Sequence, residues 1–150
     1  MKDNQKDYAT NRLGQPNNAL VLRRVNWPPE HTLPEAILLH LLESNITIKV
    51  ALGDFVVLGR CEEPGVDEPT IDLSPYDAQY LGVSRRHVVI STQNKNVMIN
   101  DLNSTNGSYL NGYLLQPMTS YRLRSGDELS LGKLVMQIKF VVERISEPEL

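Results

Sequence analysis

Three short segments of the sequence carry side chains that could bind an anion together. The segments are Gly59-Arg60, Ser84-Arg85-Arg86-His87 and Ser104-Thr105-Asn106-Gly107. Their guanidinium, hydroxyl and amide groups, with no carboxylate among them, suit a phosphate rather than a metal ion or a proton transfer. A phosphorylated hydroxyl carries a charge of about −1.5 to −2 and three acceptor oxygens. A planar guanidinium can bind two of these oxygens while a hydroxyl donates to the third.

The elements that must position these segments are predicted to be β-strands. From Ala36 onward, AILLHLL, ITIKVAL and FVVLG are interpreted as three strands, and HVVIST and VMINDL as a hairpin turned by QNKN. In LVMQIKFVV, apolar side chains alternate with Gln137 and Lys139, which is the period of a half-buried strand. Many short strands with regular turn signals predict an all-β sandwich, whose loops gather at its ends.

Composition and charge exclude several classes of function. The chain has 150 residues and a net charge of −3, so nothing indicates a nucleic-acid or membrane partner. Its single cysteine, Cys61, excludes an internal disulfide and a cysteine-based metal site, and fits a reducing compartment. The N-terminus lacks the apolar core of a signal peptide, and the run AILLHLL is too short to span a bilayer. We therefore expect a cytoplasmic protein with no metal site and no cofactor.

The first part of the chain differs from the rest in its composition and in its pattern of apolar residues. Residues 1–34 are polar, contain four prolines and show little apolar periodicity, so we predict a mostly irregular, flexible or loosely docked N-terminal tail. The folded domain is predicted to span residues 35–143, followed by a C-terminal tail at 144–150. A chain of this length is sufficient for one hydrophobic core.

The order and spacing of the motifs resemble the forkhead-associated (FHA) domain family. In chain order the motifs are GR, SRRH, DLNSTNGSYLNG and LRSGDELSLG, and they fill every motif position of the family between Ala36 and Val142. The resemblance implies an FHA-type β-sandwich of about eleven strands with its binding loops at one end. It also implies a signalling module that binds phosphothreonine peptides on kinase-modified partners, without catalysis.

The resemblance also implies roles for individual residues. Arg60 matches the arginine that grips the phosphate, and Ser84 matches the serine that donates a hydrogen bond to it. Arg85 occupies a position that adds a further phosphate contact. Thr105 matches a hydroxyl residue at the phosphate, and Asn106 matches the asparagine that binds the backbone of the peptide.

Other residues near these positions are expected to shape the loops. Gly59, His87 and Gly107 match family positions that do not touch the ligand, and His87 is interpreted as a hydrogen-bonded structural histidine. Strand alternation would place Arg86 on the same inward face as Val88 and Ile90. We expect the geometry of the loop to break that alternation, and we assign Arg86 no direct contact with the phosphate. Cys61 is expected to be inert packing, although its neighbour Arg60 could lower the thiol pKa.

Two Asn-Gly pairs in DLNSTNGSYLNG each favour a tight turn. We predict that Asn111-Gly112 is a plain hairpin turn. Asn106-Gly107 is expected to turn the chain as well, but with the Asn106 amide presented outward to a ligand.

The connector at residues 61–83 is roughly twice as long as a compact member of the family needs. It contains six acidic residues and no lysine or arginine. The segment TIDL is predicted to form a short strand that leaves two extended loops. The acids either form a rim that favours basic residues in the ligand or merely solvate the loop; both interpretations stay open.

Three further functions are weighed against the binding module. A hydrolase with Ser84, His87 and Asp101 as nucleophile, base and orienting acid is rejected, since no nucleophile elbow surrounds the serine. A phospho-independent scaffold would be favoured if Arg60 is buried in an ion pair. A phosphorylated Thr10 in the tail could bind the domain intramolecularly and act as an autoinhibitory switch.

Overall fold

The computed structural model describes residues 33–142. The predicted tails, including Thr10, lie largely outside the described residues, so the boundaries at 34 and 143 stay predictions. Within the described range, no helix has the length and apolar character that a bilayer span requires.

Eleven β-strands and one short 3-10 helix make up the described chain. One sheet has the spatial order β2 (Ile46–Ala51), β1 (Ala36–Leu41), β11 (Leu134–Val141), β10 (Glu128–Leu131), β7 (Ser108–Leu110), β8 (Tyr113–Leu114). The other has the order β4 (Ile71–Asp72), β3 (Phe55–Gly59), β5 (Val88–Gln93), β6 (Asn96–Asp101), β9 (Tyr121–Arg122). All neighbouring strands are antiparallel except the parallel pair β3 and β4. The all-β prediction is confirmed.

The tight turns form where turn residues interrupt the apolar runs. In the β5–β6 hairpin, Asn94 and Lys95 have φ values of 51° and 64°. In the β7–β8 hairpin, Asn111 and Gly112 have φ values of 52° and 85°. Two successive positive φ angles match the twist of a two-residue hairpin, so both hairpin predictions are confirmed.

The core lies between the two sheets and is built from alternating side chains. In β11, Leu134, Met136 and Ile138 are buried, while Gln137 and Lys139 are exposed, as the period of two predicts. The buried side chains of both sheets form one apolar cluster. Burying a side chain such as Ile138 contributes about 1.5–3 kcal/mol, so this cluster supplies the stiffness that holds the loops at the sheet ends.

The second half of the connector differs from its prediction. The strand predicted in TIDL forms at Ile71–Asp72, but the residues after it do not make an extended loop. Leu73, Ala78 and Val83 are buried in the core, and Ser74–Tyr76 forms the 3-10 helix. The expectation of two extended loops is therefore wrong for this half. Its apolar residues are spaced too irregularly for a strand or helix pattern, although three of them still reach the core.

Candidate functional site: a basic depression at one end of the sandwich

Strand pairing places the three segments that are predicted to bind an anion at the same end of one sheet. Since β5 is antiparallel to both β3 and β6, the beginning of β5 lies between the ends of its two neighbours. Leu58 is opposite Val88, and Val88 is opposite Asp101. The residues after Leu58, before Val88 and after Asp101 therefore meet.

Gly59 allows the first two segments to approach closely. The backbone N–H of Arg60 donates to the carbonyls of both Ser84 and Arg85 at 3.2 Å. A Cβ at position 59 would overlap the Arg85 carbonyl, which is backbone and cannot swing aside. Glycine is thus required here by space rather than by φ.

His87 links the second and third segments from inside the protein. Its ring is fully buried, with Nδ1 accepting from the Ser84 N–H at 2.9 Å and Nε2 lying 3.0 Å from the Gly107 carbonyl. This pattern requires a neutral ring with its proton on Nε2. Burial lowers the pKa of His87, against the smaller opposing effects of the Gly107 carbonyl and of Asp101. The neutral ring holds two loops together and offers neither nitrogen to a ligand.

We predict that acid weakens the fold through His87. The unfolded side chain titrates near pH 6.5 and the folded one at a lower value, so the unfolded state binds more protons. The contribution of His87 to the free energy of unfolding is therefore complete above about pH 6.5, where the ring is neutral in both states. It declines as the pH falls toward the lower pKa, by up to about 1.4 kcal/mol per pH unit. Thermal unfolding between about pH 7.5 and 5.5 measures the decline.

The control for this prediction is His87→Gln, which has no titrating ring at that position. A decline of equal size in that variant would contradict the assignment to His87. Proton NMR of the ring gives a second measurement, since titration at or above pH 6.5 in the folded protein would contradict the predicted direction.

Asp101 organises the third segment, a role that the sequence did not reveal. Its carboxylate is buried and accepts from the Ser104 N–H and from the hydroxyls of Ser104 and Ser108. The Ser104 hydroxyl in turn accepts from the Gly107 N–H at 3.0 Å. Burial would raise the pKa of Asp101, but the hydrogen bonds from Ser104 and Ser108 outweigh it and lower the pKa. The ionised carboxylate thus fixes the loop that carries residues 105 and 106.

The Ser84 hydroxyl lies next to the backbone of Thr105 in this arrangement. The Thr105 N–H donates to the Ser84 Oγ at 3.2 Å, and Thr105 itself is exposed. Since the Ser84 Oγ accepts this bond, its own proton stays available for donation to a ligand.

Asn106 is exposed, but its amide is partly engaged. Its Nδ2 donates to the Gly82 carbonyl at 3.0 Å, and the absence of a side chain at Gly82 makes room for this contact. Among the described residues, no group donates to its Oδ1. The φ angle is positive at Gly107 (85°) and not at Asn106. The amide is therefore tied across to the neighbouring loop, with its oxygen free.

Arg60 extends from the end of β3 over the same loops. Its Nε donates to the Val83 carbonyl at 2.7 Å, which leaves the two terminal nitrogens for other partners. One of these, Nη1, lies 3.4 Å from the carboxylate of Glu62, and the Arg60 side chain is 20% exposed. The guanidinium is thus oriented by the backbone of the loop next to Ser84.

These groups surround an open depression of about 350 Å³ at the end of the sandwich. Its lining residues are Arg60, Asp67, Ser84, Arg85, Arg86, Asn103 and Thr105. Three arginines against one aspartate give it a positive charge. Of the predicted phosphate-binding residues, all four line the depression, whereas Asn106 does not. Two lining residues were missed: Asp67 belongs to no motif, and Asn103 lies in DLNSTNGSYLNG just before the segment predicted to bind.

Arg86 is exposed and lies before the start of β5, so the strand alternation does not extend to it. The expected break of parity is confirmed. The side chain nevertheless lines the depression, where it adds positive charge. Arg86 can therefore contribute to the electrostatic attraction of an anion.

The thiol of Cys61 is not activated by the neighbouring arginine. Desolvation, followed by the charges of Glu68 and Asp72, raises the pKa of the Cys61 thiol. Asp72 accepts hydrogen bonds from the backbone N–H groups of Cys61 and Ser74, at 2.7 and 3.0 Å. The pKa of the Cys61 thiol is thus raised rather than lowered, and one connector acid, Asp72, has a structural role rather than a solvating one.

The comparisons with known proteins agree on one family. The FHA domain family model matches residues 56–132. An FHA domain-containing protein of Arabidopsis thaliana is 37% identical over 70 residues, covering 46% of this chain and 18% of that relative. The chain therefore spans less than a fifth of the length of this curated relative.

Two solved structures extend the similarity to the fold. The FHA domain of an Arabidopsis thaliana hypothetical protein has a TM-score of 0.61 at 27% identity, over 77% of this chain and 92% of that one. A second FHA domain, solved in a structural and functional analysis of phosphothreonine-dependent FHA domain interactions, has a TM-score of 0.53 at 26% identity. That match covers 70% of this chain and 96% of that one. The FHA-type β-sandwich is thereby confirmed.

Proposed function

The chain belongs to the FHA domain family, and we propose that it binds phosphothreonine peptides through the basic depression at the end of its sandwich. The observation that carries the proposal is the convergence of Arg60, Ser84, Arg85 and Thr105 on that depression. The second solved relative supports it, because it comes from work on phosphothreonine-dependent FHA interactions. We propose that its partners are proteins phosphorylated by kinases and that binding takes place in the cytoplasm.

The geometry suits a phosphate dianion. The Nε of Arg60 is engaged by the Val83 carbonyl, so the terminal nitrogens of the fork are the pair that can bind two phosphate oxygens. The Ser84 hydroxyl retains its proton for a third oxygen. Arg85, whose side chain is 54% exposed, adds charge at the rim. Asn106 has a free amide oxygen that can accept from the backbone of the peptide.

Binding without catalysis is the activity we propose. An FHA domain is a binding module, and both ring nitrogens of His87 are engaged by backbone groups. The Ser84 hydroxyl accepts from the Thr105 N–H and makes no hydrogen bond to His87 among the described contacts. Ser84 and His87 therefore do not form the hydrogen-bonded pair that a nucleophile and its base require.

The phospho-independent scaffold has one observation in its favour, the ion pair between Arg60 and Glu62. Charge-assisted hydrogen bonds between such groups are usually about 2.7–2.9 Å long. The contact here is 3.4 Å, and Glu62 is 56% exposed. A loose, solvated pair of this kind contributes at most about 1 kcal/mol, so it does not close the site to a phosphate.

An oriented peptide library tests the proposed function. The purified protein is incubated with peptides that carry a fixed phosphothreonine between randomised residues, and with the same library carrying threonine. Retention of the phosphorylated library alone is the expected result. Equal retention of both libraries would favour the phospho-independent scaffold. The intramolecular switch through Thr10 lies outside the described residues and remains a separate proposal.

Phosphothreonine should bind more tightly than phosphoserine by a modest factor. Both phosphates carry the same charge, so the difference must come from the γ-methyl group. Burying one methyl contributes about 0.8 kcal/mol, which is about fourfold in affinity. Isothermal titration with a matched pair of peptides measures the ratio, and equal affinities would exclude a contact with the methyl group.

A further inference from the structure

Glu62 places a carboxylate between two arginines of the proposed phosphate site. Its Oε1 lies 3.4 Å from Nη1 of Arg60 and 3.8 Å from Nε of Arg85. The same oxygen atom therefore contacts both cations. An anionic oxygen bound by two guanidinium groups is the chemistry that we propose for the phosphate itself.

A tight turn in the connector follows Glu62. Immediately after Glu62, Glu63 and Val66 form an isolated antiparallel bridge, in which the Val66 N–H donates to the Glu63 carbonyl at 3.0 Å. The Gly65 N–H inside the turn donates to the Glu68 carboxylate at 2.6 Å. The turn is thus closed by its own contacts, and it begins at the residue that follows Glu62.

The Glu62 side chain also has space to move away. It is 56% exposed and lines a second open depression of about 470 Å³. This depression shares Arg60 and Arg85 with the first one and continues toward Glu63 and Val66. A ligand entering from the side of Ser84 can therefore displace the carboxylate toward the connector.

We propose that Glu62 is an internal competitor for the phosphate, a specificity determinant of the binding site; the inference rests on the phosphothreonine binding proposed above. Tethering gives this carboxylate an effective concentration of about a millimolar or more, so it competes with any weakly bound anion. A carboxylate of an acidic peptide has the same charge as Glu62 and gains little by replacing it. A phosphate carries about −1.5 to −2 charge and more acceptor oxygens, and it can displace Glu62. The site then excludes acidic peptides and admits phosphorylated ones, at a lower affinity than the arginines alone would give.

The test measures phosphopeptide affinity in Glu62→Gln, Glu62→Ala and a control, Glu63→Gln. The control removes the same charge one residue away, from a side chain that forms no ion pair within the described part of the chain. The probe is a fluorescent mixture of peptides with a fixed phosphothreonine and randomised flanks. An exposed ion pair contributes up to a factor of about five, so both Glu62 variants should bind roughly two- to fivefold more tightly than the unaltered protein. The gain should shrink in about 1 M salt, where the Debye length is only about 3 Å.

Each other outcome has a distinct meaning. Unchanged or weaker binding by both Glu62 variants, with clear binding by the unaltered protein, overturns the competitor role and leaves the proposed function standing. A gain confined to Glu62→Gln would assign the effect to a new amide–phosphate hydrogen bond and overturn it as well. A similar gain in Glu63→Gln would also overturn the competitor role, because the effect would then come from the general acidity of the connector. No binding by any of the four proteins would overturn the proposed function, and the inference with it.

Discussion

Replacing Arg60 with alanine should weaken phosphopeptide binding by about a hundredfold or more. Hydrogen bonds to charged groups contribute about 1.5–3 kcal/mol each, and the two terminal nitrogens of Arg60 can make two of them with one phosphate. Removing the guanidinium also leaves the ligand next to Glu62 with one neutralising charge fewer. Fluorescence anisotropy with a peptide selected from the oriented library measures the loss.

Two further variants separate charge from geometry. Arg60→Lys retains the charge but loses the planar fork, in which Nε donates to the Val83 carbonyl while the terminal nitrogens bind two phosphate oxygens, so binding should still fall by about tenfold or more. Arg124→Ala removes an exposed arginine that does not line the depression and should bind as the unaltered protein does. Near wild-type affinity in a folded Arg60→Ala protein would refute the phosphate-binding role of Arg60.

Local patterns predicted those parts of the fold that depend on neighbouring residues. The hairpin turned by Asn94-Lys95 joins two apolar runs only a few residues apart, and its register follows from the turn. This hairpin already brings Ser84 and Asn106 to the same end of a sheet. The pairing of β3 with β5 is different, because the 23 residues between Arg60 and Ser84 carry no signal for it. The meeting of Arg60 with Ser84 was therefore accessible through the family resemblance and not through periodicity.

The parts of the site that were missed depend on the path of a loop. Glu62 comes directly before the turn at residues 63–66, and Pro64-Gly65 at the centre of that turn is a turn signal that the sequence does carry. The sequence does not specify that this turn leaves the Glu62 carboxylate next to Arg60. Asp101 ends β6, as the strand predicted in VMINDL implies. Its side chain, however, turns inward to three donors on Ser104 and Ser108. Whether a carboxylate at a strand end faces water or the interior is decided by the loop, and the sequence shows only the spacing of the serines.

The second large effect is expected at Asp101, which does not line the depression. In Asp101→Asn the buried position keeps its volume but loses its charge, and an NH₂ group replaces one of the two acceptor oxygens facing Ser104 and Ser108. A buried donor left without its partner costs about 1–3 kcal/mol, so the loss of stability should be about 3 kcal/mol in total. For a domain of this size the melting temperature should fall by about 10 °C or more.

The same change should also disturb binding, because Asp101 fixes the loop of Thr105 and Asn106 through Ser104. Asp54→Asn is the matched control, since Asp54 is exposed and its side chain forms no hydrogen bond within the described residues. The lowered pKa of Asp101 also predicts how the difference in stability between Asp101→Asn and Asp54→Asn depends on pH. Its stabilisation is present above about pH 3.8, the value of an unperturbed aspartate, and is lost as the pH falls below it, so the gap between the two proteins should narrow in acid. A melting temperature close to that of Asp54→Asn, with unchanged hydrogen exchange at the amides of Ser104 and Gly107, would show that the carboxylate does not hold this loop.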